Sequence, residues 1–314
     1  MKTPLVSIIT INYDTPAVTA SLLKSLSLLD YPNWEVIVVD NASPKHSSIN
    51  LKKQFPFIKH ISSPHNVGFA GGNNIGLHFS KGEYIFLLNN DTEVTPGLVS
   101  KLVAYLQQDA TCAIACPKIK YYSLPDTIQY AGTIGLHPLT SRSHNIGYLQ
   151  KDEGQFNDTR QTDQPNGAAM MIPRRLLEQV GIMSEAFFLY YEELDWAARF
   201  KQSGFKVCYV GSAEVFHKES VSTGIGSPFK TAYLYRNRLL FIRRNYKGWR
   251  YLVAALFFVS VSTPAHICKH ALQGQWQHSK AIALALRWNL RNKANKEPLI
   301  HSSSLVQQLT PDSA

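Results

Sequence analysis

Glu83-Tyr-Ile-Phe-Leu-Leu-Asn-Asn-Asp91 is a short apolar run that stops abruptly on three polar residues. It reads as a buried strand that delivers a carboxylate to its own C-terminal end. The same pattern recurs outward from it. Leu5-Val-Ser-Ile-Ile-Thr-Ile11 is β-rich and ends in Asn12, Tyr13 and Asp14, with a helical stretch from about Thr15 to Leu28. Trp34-Glu-Val-Ile-Val-Val39 ends in Asp40-Asn-Ala-Ser43, and Ile58-Lys-His-Ile61 is a shorter strand before a helix that begins near Gly68. Pro96 is placed to open a further helix running to about Gln107. Strands alternating with helices at this spacing predict an α/β fold, with βαβ units and a mostly parallel sheet covered on both faces. Open sheets of this kind bind ligands beyond the C-terminal ends of their strands. One polar loop there is an ordinary turn. Three converging on one sheet edge point to a site.

Composition narrows the class. The chain has 314 residues, of which 45% are hydrophobic and 17% charged. Those values are globular and exclude collagen-like, mucin-like and disulfide-scaffold proteins. The formal charge of +10 is uneven: residues 1–228 carry 19 Lys and Arg against 20 Asp and Glu, and residues 229–314 carry 13 against 2. A balanced body argues against nucleic acid, and a basic tail argues for an anionic partner at one end. Cys112, Cys116, Cys208 and Cys268 show no metal-site spacing and suit a reducing compartment. The apolar run at residues 5–11 is too short for a signal-peptide core, so the reading is cytoplasmic and the sequons at Asn41, Asn90 and Asn157 are incidental.

The middle of the chain is harder to read. Residues 112–164 mix short β-like runs with Gly, Pro and Ser, and residues 150–164 read as a mobile loop. Regularity returns with an apolar strand at Asn166-Gly-Ala-Ala-Met-Met-Ile-Pro173, helices at 174–180 and 192–203, and a strand at 204–210.

Four groups of residues carry chemistry. Asp91 suits a divalent cation, which typically takes one or two protein oxygens and completes its shell with phosphates; a simple turn explains it equally. Asn66-Val-Gly-Phe-Ala-Gly-Gly-Asn-Asn74 places glycines at a helix start, either for an anion or for close helix–sheet packing. It is not GxGxxG, which disfavours a nicotinamide dehydrogenase. Tyr190-Tyr-Glu-Glu-Leu-Asp-Trp196 sets three acids at a helix start within an aromatic neighbourhood, a natural place for a general base. His217 follows a strand and is either a metal ligand or a structural histidine.

In this order, over about residues 4–224, these segments resemble the family-2 glycosyltransferases of the GT-A fold, in particular the bacterial branch that contains rhamnosyltransferases. The resemblance implies a site position by position. Thr10, Asn12, Tyr13, Asp40, Asn66, Gly68, Gly71, Asn73, Asn89, Asn90 and Gly167 would surround the nucleotide-sugar. Asp91 and His217 would hold Mg2+ or Mn2+. Glu193 would be the catalytic base with Asp195 supporting it, and Tyr191, Glu192 and Trp196 would meet the acceptor. Two positions depart from the family pattern: the DxD motif reads Asn89-Asn90-Asp91, and Glu193 stands where Asp is common. The implied reaction is an inverting transfer from dTDP-rhamnose or a UDP-sugar to a glycan or lipid-linked hydroxyl in cell-surface polysaccharide synthesis. The rival readings are a metal-dependent nucleotidyltransferase and a sugar-nucleotide binder without transfer activity.

The domains then read as a GT-A body at 1–225, a basic and apolar helical region at 226–300, and a disordered tail at 301–314. Tyr251 to Cys268 is apolar, is interrupted by Pro264 and His266, and is flanked by Arg243, Arg244, Lys247, Arg250 and Lys269. A helix lying on an anionic membrane fits best, which places the protein peripherally on the inner face of the cell membrane. A full span and an internal hairpin stay open.

Overall fold

The computed structural model describes residues 3–218 and 226–292. The tail at 301–314 lies outside the described residues. The first half alternates as expected: β1 (Val6–Asn12), α1 (Pro16–Ser25), β2 (Trp34–Asp40), α2 (Leu51–Gln54), β3 (Ile58–Ser62), α3 (Gly68–Phe79) and β4 (Tyr84–Leu88). There follow β5 (Thr92–Val94), α4 (Leu98–Gln108), β6 (Cys112–Tyr121), β7 (Ile128–Tyr130) and a two-stranded hairpin of β8 (Thr133–Ile134) and β9 (His144–Asn145). The second half contains β10 (Thr159–Thr162), β11 (Ala169–Pro173), α5 (Leu177–Val180), α6 (Glu192–Gln202) and β12 (Lys206–His217). Four helices close the described chain: α7 (Pro228–Asn245), α8 (Gly248–Phe257), α9 (Thr263–Leu272) and α10 (Trp276–Arg291).

The main sheet runs β3-β2-β1-β4-β11-β6-β12-β10, with β5 and β7 added alongside β12 and β6. β3, β2, β1 and β4 are parallel, and β11 runs against both β4 and β6. β12 returns parallel to β6. Apolar strands buried on both faces explain the continuous runs in the sequence: Ile8, Ile9, Ile37, Val38, Phe86 and Leu87 have no exposed surface. α3 reaches β1 closely because Gly72 and Gly76 lack side chains; a Cβ on Gly72 would lie 2.8 Å from Ile11, and one on Gly76 would overlap Ile9. Close helix–sheet packing is thus one use of the glycine run.

The segment at 150–164 is not the loose loop expected from its polarity. It carries β10, buries Phe156 and is pinned by Lys118, whose ammonium reaches Asp152 at 2.9 Å and Asn157 at 2.6 Å. The pinning residue lies more than 30 positions upstream, so the segment's own composition does not announce it.

α8, a π-type turn at Phe258–Ser262 and α9 form one helical stretch, Gly248–Leu272, and Pro264 does not end it. The π-type turn at Phe258–Ser262 already departs from the regular hydrogen-bond ladder just before Pro264, which is where an interior proline is accommodated without ending the stretch. Nor is the basic excess of this region all surface charge. Arg236 and Arg238 are buried, Arg243 donates to the carbonyls of Asn289 and Asn292, and Arg244 pairs with Asp195.

Candidate active site

The C-terminal ends of β1, β2 and β4 meet through a chain of polar side chains. Asn90 donates to Thr15 and Thr19 of the α1 region, both at 2.9 Å; Thr19 donates to Asn12 at 2.8 Å; Asn12 donates to Ser43 at 3.1 Å. Asn12 and Asn90 are therefore spent on holding the loops in register. Thr10 shares the β1 face of Asn12 and is 1% exposed, with a hydroxyl that has no partner among the described residues. Tyr13, 36% exposed, and the half-buried Asn89 stand at the sheet edge with side chains free to meet a ligand.

Asp40 is likewise a loop holder. Its Oδ2 accepts from the backbone and hydroxyl of Ser48 and from the Ser47 hydroxyl, while Oδ1 accepts only the Ser43 N–H at 2.9 Å. Burial pushes its pKa up, but the Ser48 and Ser43 donors outweigh that and leave it below the usual value. The carboxylate is therefore ionised, with Oδ1 the atom still able to accept.

The start of α3 is not an anion site. Val67 N–H donates to Asn41, Gly68 N–H to Asn66, and Phe69 N–H to the Phe188 carbonyl at 2.6 Å, so the first amides of the helix are already satisfied. Gly68 has φ +74°, and a Cβ there would overlap Phe188; a Cβ on Gly71 would lie 2.7 Å from Val67. Asn73 is 1% exposed and donates back to Phe69 within its own helix. Gly68, Gly71 and Asn73 therefore serve the packing of this turn against Phe188 and Val67 and the helix itself, and Asn66 acts by capping. Asn41, one of the polar residues that close the second strand, anchors this turn through Asn66 and Gly68.

Phe188, Tyr190 and Tyr191 all have positive φ (64°, 70° and 76°). For bulky residues these are strained conformations, worth about 1–3 kcal/mol each. Two residues of α7 hold them. Arg236 donates to the carbonyls of Ala186 and Phe187, and the Asn237 amide reaches those of Phe187 (2.8 Å), Leu189 (2.8 Å) and Tyr190 (2.7 Å). The strained turn ends by launching α6 at Glu192.

Glu192 is 2% exposed and Glu193 half-buried, and each has a buried Oε2 without a partner among the described residues. Burial, then the neighbouring Glu193 charge, hold Glu192 well above the usual carboxylate range; its own N–H, that of Tyr190 and the Arg236 charge oppose the shift. Burial raises Glu193 to about 7, against its own backbone N–H. Burial thus pushes both carboxyls toward the protonated form, and Glu193, near 7, is the one poised to exchange a proton at neutral pH. The Glu193 carboxyl carbon lies 3.9 Å from where a Cβ on Gly167 would sit, beside the Phe69 ring. The next residue, Ala168, accepts the Asn89 N–H at 2.9 Å, so Glu193 borders the strand end that carries Asn89 to Asp91.

Two neighbours of the pair are committed elsewhere. Asp195 is 1% exposed and bound by Arg199, Arg244 and Asn245, so it joins α6 to α7 instead of supporting the base. Trp196 is fully buried, its indole donating to the Gly181 carbonyl at 2.9 Å; it belongs to the core, not to an acceptor surface. Tyr191 is 7% exposed, and its hydroxyl accepts from Arg238 at 2.8 Å.

Asp91 and His217 meet across the β5–β12 pairing, which brings residues far apart in sequence to one point. Their Oδ1 and Nε2 atoms are 3.1 Å apart, and the other ring nitrogen of His217 lies 2.8 Å from Gln129 Oε1. With Nδ1–H donated to that oxygen, Nε2 and the carboxylate are two acceptors facing each other, an arrangement that a cation or a proton between them relieves. No cluster of three or more His, Cys, Asp or Glu occurs among the described residues, so a metal held by this pair would take most of its shell from phosphate and water. Gln129 sits in the poorly patterned stretch and was not legible as a site residue.

The chain belongs to Glycosyl transferase family 2, whose family model matches residues 7–190. It is 28% identical over 240 residues to the low-salt glycan biosynthesis hexosyltransferase Agl10 of Haloferax volcanii, with 74% of each chain covered. It is 22% identical to the N-acetylglucosaminyl-diphospho-decaprenol L-rhamnosyltransferase of Mycobacterium tuberculosis, over 79% of this chain and 87% of that protein. The fold matches the mannosyltransferase PcManGT of Pyrobaculum calidifontis, solved with GDP-Man and Mn2+ (TM-score 0.57, 14% identity, 99% of this chain and 82% of that one). It also matches S. aureus TarS 1-349 with UDP-GlcNAc (TM-score 0.55, 17% identity, 90% and 80%). The GT-A fold expected from the sequence is the fold observed.

Proposed function

We propose that this glycosyltransferase works by inversion, moving a sugar from a nucleoside diphosphate to a hydroxyl of a glycan or lipid-linked acceptor in cell-surface polysaccharide synthesis. The observation that carries the reading is the placement of a carboxyl poised near neutrality, Glu193, beside the strand end bearing Asp91. Glu193 takes the acceptor proton as the hydroxyl attacks the sugar; the bond to the diphosphate breaks on the opposite side. Neutral Glu192 stays out of that transfer and can donate to an acceptor oxygen. Asp91 and His217 would hold Mg2+ or Mn2+, which when bound neutralises charge on the diphosphate. The mycobacterial relative's name, an L-rhamnosyltransferase, supports rhamnose as the transferred sugar, and the proposed donor is dTDP-rhamnose or a UDP-sugar. A thermal-shift screen of nucleotide sugars with Mn2+ tests the donor, since a ligand of the folded state raises the melting temperature. No shift with any nucleotide sugar would remove the reading.

His217→Ala is expected to raise the Mn2+ concentration that half-saturates the protein in the presence of nucleoside diphosphate, by about ten-fold or more. Electron paramagnetic resonance of free Mn2+ measures it directly; an unchanged titration returns His217 to a purely structural role.

The reading also places the enzyme at a membrane face. The helical stretch Gly248–Leu272 is long and apolar enough to cross a membrane, with 17% of its most apolar window buried. Trp249, Leu252, Leu256 and Val261 are between 54% and 70% exposed, at helical spacing and beside exposed Lys247, Arg250 and Lys269. Such a stripe with basic flanks suits the interface of an anionic leaflet. The full chain is expected to float with vesicles containing phosphatidylglycerol, and Leu252→Glu with Leu256→Glu to abolish flotation without changing nucleotide binding. Equal flotation of the double variant overturns the assignment.

A further inference from the structure

The arginines of α7 divide into those that are satisfied internally and one that is not. Arg236, Arg243 and Arg244 find carbonyls or Asp195. Arg238 is 5% exposed, yet it has no carboxylate partner among the described residues; its Nε donates to the Tyr191 hydroxyl at 2.8 Å. Its guanidinium lies over the rings of Tyr235 (5.7 Å) and Phe258 (5.5 Å). The Tyr191 hydroxyl in turn reaches the Ser141 carbonyl at 3.5 Å, and Ser141 bonds Tyr246 at 3.1 Å. That linkage brings the next residue, Arg142, to the same spot, also without a carboxylate partner among the described residues. The two cations feel each other: burial and then Arg238 lower the proton affinity of the Arg142 guanidinium.

The buried Arg238 guanidinium, with no carboxylate among the described residues, is costly unless something anionic completes it, and the exposed Arg142 beside it can share that anion. Their planar donor forks match phosphate oxygens. The spot adjoins Tyr191, one residue before Glu192, and so lies on the side of the acid pair held by α7 and the 141–142 loop. The Asp91–His217 pair is built on other elements, β5 and β12. We propose that Arg142, Arg238 and the Tyr191 hydroxyl bind a phosphate or diphosphate carried by the acceptor, so that the acceptor is a phosphate-linked glycan and not a neutral one. The inference deepens the transferase reading and rests on it. Phe258 belongs to the same helical stretch as the exposed apolar stripe, so the two arginines lie against the element proposed to meet the membrane.

The test measures binding, without turnover. Full-length protein in EDTA, where metal-assisted diphosphate binding is disabled, is titrated calorimetrically with farnesyl diphosphate and, in parallel, with inorganic pyrophosphate. Wild type is expected to bind, and Arg142→Gln to weaken binding by about ten-fold or more, the loss typical of a charge-assisted hydrogen bond. Arg142 is exposed, so this variant keeps the fold; Arg238→Gln is read only on its folded fraction. Farnesyl diphosphate binding much tighter than pyrophosphate supports a lipid source, and equal binding supports a soluble phosphate acceptor. No binding of either probe, or binding unchanged in Arg142→Gln, overturns the proposal. Nucleotide-sugar binding with Mn2+ is measured on EDTA-free portions of the same preparations, so a failure of the transferase reading shows up separately.

Discussion

Glu193→Gln is expected to remove transfer almost completely, by about 10²- to 10⁴-fold in turnover, while donor binding stays near wild type. Glutamine keeps the volume and the hydrogen-bonding capacity of the residue but cannot take a proton. The wild-type carboxyl, raised to about 7 by burial, must lose its proton to act. Turnover should therefore rise about ten-fold per pH unit on the acid side and level off above neutrality. The residual activity of the variant should lack that limb. Stability gives an independent sign. A carboxyl whose pKa is raised on folding binds more protons in the native state than in the unfolded chain, so stability is greatest below the ordinary glutamate range. It declines as pH rises through about 7. Glu193→Gln escapes that decline and should melt above wild type at pH 8. Turnover near wild type would move the base to Glu192, because Asp195 is already bound by Arg199 and Arg244.

Asn237→Ala should be the most damaging change outside the acid pair. One amide holds the carbonyls of Phe187, Leu189 and Tyr190, and the backbone between them is strained at Phe188, Tyr190 and Tyr191. Removing it takes the side-chain partner from the Leu189 and Tyr190 carbonyls, while Arg236 keeps that of Phe187, and lets the turn relax, at a cost of about 2–4 kcal/mol. Relaxation also displaces Glu192 and Glu193, which begin α6 directly after the turn. The expected kinetic signature is a collapse of kcat with the donor KM nearly unchanged, together with a shifted pH midpoint. A protein that merely melts earlier, with kcat and pH midpoint intact at low temperature, would show that Asn237 serves stability alone.

The strands of the first half were legible because each is a short apolar run closed by polar residues, a local pattern. So were α3, α6 and the helical end of the chain. The acids at 192–195 were legible as a cluster, but not in their division of labour. Glu192, Glu193 and Asp195 are equivalent in composition, and burial together with Arg199, Arg244 and Asn245 separates the two unpaired acids from the anchored one. The glycine run was ambiguous in sequence, and the Asn41, Asn66 and Phe188 partners that satisfy its amides come from other elements. The long β6 and the pinned segment at 150–164 were missed because their burial depends on distant partners such as Lys118.

By itself the sequence determined the alternation of strand and helix and the polar strand ends, because hydrophobic periodicity and turn chemistry act over a few residues. It also determined the family. Only the tertiary structure decided which polar groups remain unpaired. Whether Asp91 faces His217, whether Asn237 braces the turn before Glu192, and whether Arg238 meets the Tyr191 hydroxyl depend on residues tens to more than a hundred positions apart. Those relations arise from β5 meeting β12 and from α7 lying along the 186–191 turn, and no local pattern encodes them.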